Sequence, residues 1–469
     1  MDDKQFAAQV MLNLPYDPND QQVAVIAALS RFCSPGARQD SVFILNGYAG
    51  TGKTSLTGAL VRTLADAGVQ TVLMAPTGRA AKVFGAYAGR QAYTIHRKIY
   101  RHSFGAEFGS GAAPVRDNNA KDTVFIVDEA SMIGAGDERG SNLLEDLVQF
   151  VYSGINCRLI LLGDTAQLPP VGSQSSPAMA AEALRKFGLK VTRATLTETA
   201  RQARGSGILV NATRLRRAML APEKMPAEPV RAGYDDVTEV SPEDLPEVLE
   251  TAYRRDGLGE TLVITRSNRT ATDYNRAIRA NVLYIEEELR QGELLIVAKN
   301  NYYWARKVKD VDFVANGDVV VVDSVIGTHE RYGMRFADVT LCMPDRPDDV
   351  FEAKIMLATL SSEGAGLSQD AYNKLYYGII DDPEFFPADM PYDLRVRKLR
   401  DNPYWNALQV KYAYAATCHK AQGGQWANVF VDLSYVPPEA MGAEFYRWLY
   451  TAVTRARKHL YIIGNRRDD

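Results

Sequence analysis

A glycine-rich segment between an apolar run and a helix-compatible stretch constrains this chain more than any other feature. Gly47-Tyr-Ala-Gly-Thr-Gly-Lys-Thr54 matches the pattern G-x-x-x-x-G-K-[ST] at every position. Its glycines allow backbone N–H groups to turn inward around phosphate oxygens, and the N-terminus of the following helix adds a positive dipole end. In such a loop Lys53 reaches the β- and γ-phosphates, and the Thr54 hydroxyl binds Mg²⁺. The segment predicts a nucleoside triphosphate site.

Short apolar runs that alternate with helix-compatible stretches predict the fold around this loop. In the first part of the chain the runs are 42–46, 71–75, 123–127 and 158–163, with helices expected at 53–67 and 140–152. Continuous apolar runs are typical of parallel strands that helices cover on both faces. Later runs predict a second sheet of the same kind, at 261–265, 428–433 and 459–463. We therefore expect an α/β fold with two doubly wound parallel sheets, whose ligands bind at the carboxyl ends of the strands.

The stretch between the later runs has a different pattern. Residues 311–345 alternate in polarity and contain the turn signal Asn316-Gly317-Asp318, which predicts a β-hairpin. We interpret 311–408 as a β-rich insertion into the second sheet domain, although 345–408 matches no pattern of its own. Residues 217–245 are rich in Pro, Glu and Asp, and we expect a linker or a surface loop there.

Two further strand ends carry residues suited to phosphate chemistry. Asp128 and Glu129 follow the apolar run 124–127. A carboxylate at that place suits a hard cation, and its neighbour could polarise an attacking water. Gln167 follows the run 158–163 and has an amide that could contact a γ-phosphate and orient water. Taken alone, Gln167 could equally belong to a polar turn before Pro169 and Pro170.

Two arginines are candidates for stabilising charge on a transferred phosphoryl group. Arg201 lies in Leu-Thr-Glu-Thr-Ala-Arg-Gln and Arg455 in Tyr-Thr-Ala-Val-Thr-Arg-Ala. An arginine in either place could act as an arginine finger. Because the chain contains 54 Lys and Arg residues, position alone does not separate either residue from an ordinary surface charge.

Together these segments resemble the superfamily 1 helicases, in particular the 5′→3′ subgroup with the RecD-like and Dda-like enzymes. The segments occur in the family's order and cover almost the whole chain: Gln21, 47–54, 75–81, 94–96, 128–131, 163–170, 196–202, 265–268, 316–318, 416–423 and 450–455. The resemblance implies an ATP-dependent DNA helicase that uses Mg²⁺, with ATP between two RecA-like motor domains. The first would span 1–195 with a small pin insertion at about 97–121. The second would comprise 196–310 and 409–469, and the insertion 311–408 would be SH3-like.

The resemblance also assigns residues to the nucleotide. Gln21 corresponds to the glutamine that reads adenine, but the usual Leu-Thr start is missing, so the neighbouring Gln22 is an alternative. Catalytic roles fall to Lys53, Asp128, Glu129, Gln167, Arg201 and Arg455, and metal binding to Thr54 and Asp128. The nucleotide-binding residues implied are Gln21, Gly47, Gly50, Thr51, Gly52, Lys53, Thr54, Ser55, Gln422 and Gly423.

Single-stranded nucleic acid would cross both motor domains in a helicase of this kind. The contacts implied are Pro76, Thr77, His96, Thr417, His419 and Lys420. Within the pin region, glycines punctuate a stretch that contains Phe104 and Phe108, and either ring could stack on the last base pair of a duplex. The alternative is that both rings pack under the loop.

Composition limits how the strand is held. The net charge is −3, so nucleic-acid binding would need a local groove rather than a general basic field. The acidic start, the scattered cysteines and the absence of a long apolar run lead us to expect a cytoplasmic protein without a membrane span. We expect a monomer that acts on single-stranded DNA and single-strand/duplex junctions, with replication or repair proteins as candidate partners. A translocase that displaces bound proteins, or one that acts on RNA, stays an alternative.

Overall fold

The computed structural model describes residues 2–34, 36, 39–100, 114–134, 136, 142–170, 172–198, 205–220, 228–304, 314–344, 346–364, 366–434, 436 and 441–464. The chain forms two compact units. The first unit comprises Met1–Asp236, Gln422–Gly424 and Pro437–Thr454, and the second comprises Val237–Ala421, Gln425–Val436 and Arg455–Asp469.

The secondary structure follows the chain in this order. The helices are α1 Asp3–Leu12, α2 Asp20–Cys33, α3 Lys53–Asp66, α4 Gly78–Ala88, α5 Ile95–Ile99, α6 Leu143–Ser153, α7 Ala181–Arg185, α8 Gly207–Leu220, α9 Leu245–Asp256, α10 Asn268–Asn281, α11 Gln369–Ile380, α12 Tyr392–Leu399, α13 Cys418–Ala421 and α14 Ala443–Val453. The strands are β1 Ser41–Gly47, β2 Gln70–Ala75, β3 Ala92–Thr94, β4 Thr123–Val127, β5 Arg158–Gly163, β6 Lys190–Leu196, β7 Val237–Val240, β8 Thr261–Thr265, β9 Leu294–Val297, β10 Val319–Arg331, β11 Met334–Met343, β12 Arg346–Met356, β13 Val410–Tyr412, β14 Ala415–Thr417, β15 Trp426–Asp432 and β16 Ala456–Ile463.

The first unit contains a parallel sheet. Among its described residues the strand order is β3-β2-β4-β5-β1-β6, and every pair is parallel. Alternate side chains of β1 enter different cores, Phe43 and Leu45 on one face and Val42 and Ile44 on the other. Because helices cover both faces, the central strands β1, β4 and β5 are buried along their length and mostly apolar. The sequence prediction of a doubly wound parallel sheet is confirmed here.

The second unit contains a second parallel sheet. Over the part of this unit that the structure describes, its order is β14-β8-β15-β16-β7. The predicted strands at 261–265, 428–433 and 459–463 form β8, β15 and β16. The interpretation of 217–245 as a linker or loop is wrong at Val237–Val240, because this stretch pairs with β16 as strand β7 and buries both of its valines.

An antiparallel sheet extends the second unit. In the described residues its order is β12-β11-β10-β9-β13, and the predicted turn at 316–318 leads into β10, with Gly317 at φ +88°. The stretch 345–408, for which no pattern predicted a structure, holds β12, α11 and α12 around buried aromatic rings such as Tyr404 and Trp405. The domain boundaries and the SH3-like character of the insertion stay predictions. None of the helices described has the length and apolarity needed to cross a membrane.

Candidate nucleotide and nucleic-acid sites

The glycine-rich loop lies where the sequence predicts, between the carboxyl end of β1 and the first turn of α3. Gly50 and Gly52 have φ values of +74° and +79°, the left-handed region that glycine adopts at little cost. The loop is tied to itself because Thr51 Oγ1 donates to the carbonyl of Tyr48 at 2.8 Å. Since α3 begins at Lys53 and has no side-chain cap, the N–H groups of its first turn lie next to this loop and suit an anion.

Lys53 and Asp128 come together at this edge of the sheet. The Nζ atom of Lys53 lies 4.0 Å from Oδ1 of Asp128, which follows β4. The other carboxylate oxygen of Asp128 accepts a hydrogen bond from the hydroxyl of Tyr87, on α4. Burial and the Asp128 charge raise the pKa of Tyr87 far above its ordinary value, so that the phenol stays a donor. Sequence reasoning missed Tyr87, because nothing in the sequence around it indicates this contact.

Glu129 has an uncommon backbone conformation. Its φ is +52°, in the left-handed region, where a non-glycine residue costs of the order of 1–3 kcal/mol. Its N–H donates to Oδ1 of Asp128 at 2.9 Å, so the two consecutive carboxylates are fixed relative to each other. Backbone strain of this kind is typical of functional positions.

Asp164 organises the turn after β5. It is 2% exposed, and its Oδ1 accepts from the N–H of Ala166 at 2.9 Å while its carbonyl accepts from the N–H of Gln167 at 3.2 Å. The side-chain Oε1 of Gln167 is buried and accepts no hydrogen bond from any residue that the structure describes. An acceptor in that state suits a donor that arrives with a ligand or a water.

Tyr450, on α14, connects this turn to the glycine-rich loop. Its hydroxyl donates to Oδ2 of Asp164 at 2.6 Å and accepts from the N–H of Ala49 at 2.9 Å. Burial and the Asp164 carboxylate raise the pKa of Tyr450 well above its ordinary value. The sequence places Tyr450 in a predicted motif, but no pattern predicts that its hydroxyl reaches a residue 401 positions away.

The two candidate adenine-reading glutamines make different contacts. The Nε2 of Gln22 donates to the carbonyl of Thr51 in the glycine-rich loop at 3.0 Å, and its Oε1 accepts from the N–H of Asn19 at 3.1 Å. Gln21 instead bonds to Thr197, with its Nε2 donating to the hydroxyl at 2.9 Å and its Oε1 accepting from the N–H at 2.9 Å. Of the two, it is therefore Gln22 that hydrogen-bonds to the glycine-rich loop.

The remaining residues predicted for the nucleotide are distributed as follows. Thr54 and Ser55 lie in the first turn of α3, where Thr54 is exposed. Gln422 donates to the carbonyl of Leu168 at 2.9 Å, next to Gln167. Gly423 lies so close to the start of α4 that an added Cβ would be 2.9 Å from Cβ of Ala80. Both thus lie near the turn after β5 and the end of β2.

Of the predicted arginines, only Arg455 can be placed, since Arg201 lies outside the described residues. Arg455 belongs to the second unit and is 3% exposed. Its carbonyl accepts from the N–H of Trp426 at 2.9 Å. Burial raises the pKa of the Cys418 thiol to about 12, and the nearby Arg455 charge opposes that rise.

Each unit carries part of the predicted strand contact. In the first unit Pro76 and Thr77 follow β2, and Thr77 Oγ1 caps α4 by accepting from the N–H of Ala80 at 3.2 Å. His96 is exposed on α5, with its ring 5.6 Å from that of Tyr100. The candidate pin residues Phe104 and Phe108 lie outside the described residues. The second-unit residues are at the junction of β14 and α13, namely Thr417, His419 and Lys420.

Comparison with known protein families gives two matches. Residues 19–225 match an AAA domain, and residues 412–463 match the UvrD-like helicase C-terminal domain. The first match contains the glycine-rich loop, Asp128, Glu129 and Gln167, and the second contains Thr417–Lys420 and Arg455.

Curated proteins agree with these matches. The chain is 26% identical over 428 residues to the ATP-dependent RecD2 DNA helicase of Deinococcus radiodurans. This match covers 90% of this chain and 47% of the relative. It is 34% identical over 132 residues to the ATP-dependent DNA helicase dda of Enterobacteria phage T4. That match covers 27% of this chain and 28% of the relative. These matches support the resemblance to the RecD-like and Dda-like helicases of superfamily 1 that the sequence motifs indicate. The chain spans about half the length, or less, of the curated relatives that it matches.

Among solved structures, the chain is similar to the Pif1 helicase from Bacteroides in complex with ADP-AlF3 and ssDNA. It is 14% identical, with a TM-score of 0.47 and coverage of 95% of this chain and 92% of that one.

Proposed function

We propose that this chain is an ATP-dependent DNA helicase that moves 5′→3′ along single-stranded DNA and unwinds duplexes. One observation carries the proposal. Lys53, Asp128 and Gln167 follow β1, β4 and β5, which are neighbours in the order β4-β5-β1 of a parallel sheet. Residues suited to phosphate binding, metal binding and water positioning thus share the edge of the sheet at which ligands of such folds bind. Two of the matched relatives, RecD2 and dda, are named as ATP-dependent DNA helicases.

The side chains at this edge support hydrolysis of a nucleoside triphosphate. Lys53 and the N–H groups at the start of α3 would bind phosphate oxygens. Glu129, whose conformation is fixed next to Asp128, would accept a proton from the attacking water, and the buried Oε1 of Gln167 would help to orient that water. Arg201 and Arg455 would stabilise charge on the γ-phosphoryl group, as the resemblance implies.

The oxygen donors at this edge fit a magnesium ion. Asp128 provides a carboxylate and Thr54 a hydroxyl, and oxygen ligands of this kind are what Mg²⁺ prefers. The 4.0 Å separation of Lys53 and Asp128 leaves the carboxylate without a tight ion pair to that lysine. When bound with ATP, Mg²⁺ would neutralise charge on the β- and γ-phosphates.

Gln22 is the better supported of the two adenine-reading candidates. Its amide donates to the carbonyl of Thr51, so a change in the loop on nucleotide binding would reach Gln22 directly. Gln21 is held at the end of β6 by Thr197.

The experiment that tests the proposed function is an unwinding assay with matched substrates. Duplexes with a 5′ tail, a 3′ tail or no tail are prepared in DNA and RNA, and the ATPase rate is measured with and without single strands. We expect unwinding of the 5′-tailed DNA duplex and a strand-stimulated ATPase. Unwinding of 3′-tailed duplexes alone would contradict the direction, and preference for RNA would contradict the substrate. An ATPase activity that single strands do not stimulate would contradict the proposal that the chain is a nucleic-acid motor.

A further inference from the structure

A small pocket in the second unit brings two lysines together. Lys411 lies on β13 and Lys420 on α13. The pocket is closed on one side by α10 and on another by the segment 357–364 that follows β12. Its polar lining consists of Asn268, Thr272, Asn275, Ser362, Lys411, Thr417 and Lys420.

The Lys411 ammonium is held by neutral oxygens. It donates to the carbonyl of Ser362 and, at 2.6 Å, to the hydroxyl of the same residue. In the part of the chain that the structure describes, neither Lys411 nor Lys420 forms an ion pair with a carboxylate. Lys411 is only 8% exposed, so its charge is buried without a counterion.

The segment that carries Ser362 is fixed in place. Thr359 Oγ1 donates to the carbonyl of Val410 and accepts from its N–H, both at 3.1 Å. Arg276 of α10 donates to the carbonyl of Ser361 at 3.2 Å. Glu363, the carboxylate of this segment, is exposed and lies 4.0 Å from Arg269. Ser362 is thus a fixed wall of the pocket.

The electrostatics of the pocket favour an anion. Burial and the Lys420 charge lower the pKa of Lys411 to about 8, and burial also lowers the pKa of Lys420. Two cations that share a partly buried site destabilise each other's charged forms, and a bound anion reverses this effect. A phosphate group has the charge and the acceptor oxygens for such a site.

We propose that Lys411 and Lys420 together bind one backbone phosphate of the single strand, and that Ser362 positions the Lys411 ammonium for it. The proposal rests on the proposed function, because the strand supplies the phosphate. Thr417 and Lys420 belong to a segment expected to contact the strand, whereas nothing in the sequence pattern indicates Lys411 or Ser362. Lys411 is a binding residue in this proposal, and Ser362 is a positioning residue.

The first test is the salt dependence of strand binding. The affinity of the full chain for a fluorescent oligothymidylate is measured by anisotropy over a series of salt concentrations. Lys411→Met keeps the buried stem and removes the charge. The logarithm of the binding constant falls linearly with the logarithm of the salt concentration, and this slope should become shallower by about 0.7, the value for one phosphate of a single strand. Lys374→Met, at an exposed lysine on α11, is the control and should keep the wild-type slope.

The second test separates the charge of Lys411 from its position. Wild-type affinity should fall as the pH rises through the pKa of Lys411 in the complex, which a bound anion moves above 8. Lys411→Arg stays charged, so its affinity should vary less over this range. Ser362→Ala should weaken binding in the wild-type background but add little to Lys411→Met, since coupled residues are not additive. Independent effects of the two substitutions would overturn the positioning role.

The outcomes distinguish this inference from the proposed function. If the wild-type chain binds the strand with a stimulated ATPase but Lys411→Met keeps the wild-type slope, the inference fails and the motor stands. If the wild-type chain does not bind single strands, both fail. A further experiment measures the binding of inorganic phosphate to the wild-type chain and to Lys411→Met, with chloride at equal ionic strength as the control. Lys411→Met could abolish the binding of inorganic phosphate and leave the salt dependence of strand binding unchanged. That result would identify a site for free phosphate and overturn the assignment to the strand.

Discussion

The Nζ atom of Lys53 lies 4.0 Å from Oδ1 of Asp128, and the two side chains are 13% and 12% exposed. Lys53 begins α3 and Asp128 follows β4. The sheet therefore brings together two segments that are far apart in the sequence. Their proximity places the proposed phosphate-binding and metal-binding groups side by side.

Lys53→Ala should abolish nucleotide turnover. Removing one preorganised cation from a phosphoryl-transfer site is expected to lower kcat by at least about 10²-fold. The fold should be kept, because Asp128 retains Tyr87 and the N–H of Glu129 as partners. Strand-stimulated ATPase activity and circular dichroism measure the two effects, with Lys4→Ala on α1 as a control at an exposed lysine. Persisting ATPase activity would show that the nucleotide binds elsewhere.

Glu129→Gln should separate nucleotide binding from hydrolysis. The amide has the same shape, so the left-handed conformation and the hydrogen bond to Asp128 should survive. Loss of the proton acceptor is expected to lower kcat by about 10²- to 10⁴-fold. Single-turnover hydrolysis gives the rate, and titration with a fluorescent ATP analogue gives the affinity. Near-normal hydrolysis in this variant would move water activation to another residue, with Gln167 the first to test.

Gln22 and Gln21 can be compared by the same conservative substitution. Gln22→Glu keeps the oxygen that accepts from the N–H of Asn19 but replaces the amide that donates to the carbonyl of Thr51. We expect KM for ATP to rise roughly tenfold, which corresponds to about 1.4 kcal/mol. Gln21→Glu should have a smaller effect, because its oxygen still accepts from the N–H of Thr197. Steady-state kinetics give KM for ATP in both variants. A larger increase in KM for Gln21→Glu would assign the adenine-reading role to Gln21 instead.

The parts of this site that could be predicted from the sequence are local. The glycine-rich loop needs only its own glycines and the helix that follows, and the carboxylates directly follow a buried strand. The parallel sheet was predictable because its central strands, covered on both faces, form nearly continuous apolar runs. The position of Asn19 also held information, since a helix cap followed three residues later by Gln indicates a capping box at Gln22.

The rest depends on contacts between distant segments. The hydroxyls of Tyr87 and Tyr450 find their partners only after helices pack on the sheet, and a tyrosine in a helix has no local signal for that role. Strand β7 is short, and its neighbours in the sequence are rich in Pro, Glu and Asp, so composition hid it. In 345–408 the aromatic residues pack on α11, α12 and β11, and neither a period of 2 nor one of 3.6 extends over the whole stretch.

Tyr450→Phe tests whether α14 supports the nucleotide site. The hydroxyl is buried and serves both Asp164 and the N–H of Ala49, and its removal leaves each with one partner fewer. Losing these buried hydrogen bonds should lower the free energy of unfolding by about 1–3 kcal/mol. KM for ATP should also rise, because Ala49 lies in the loop that would hold the phosphates. Tyr377→Phe removes a hydroxyl from a tyrosine that is 61% exposed on α11, and it should change neither quantity. Denaturant unfolding and ATPase kinetics of the two variants give the answer. A Tyr450→Phe chain with wild-type stability and wild-type KM would show that the Asp164–Tyr450–Ala49 connection supports neither the fold nor the site.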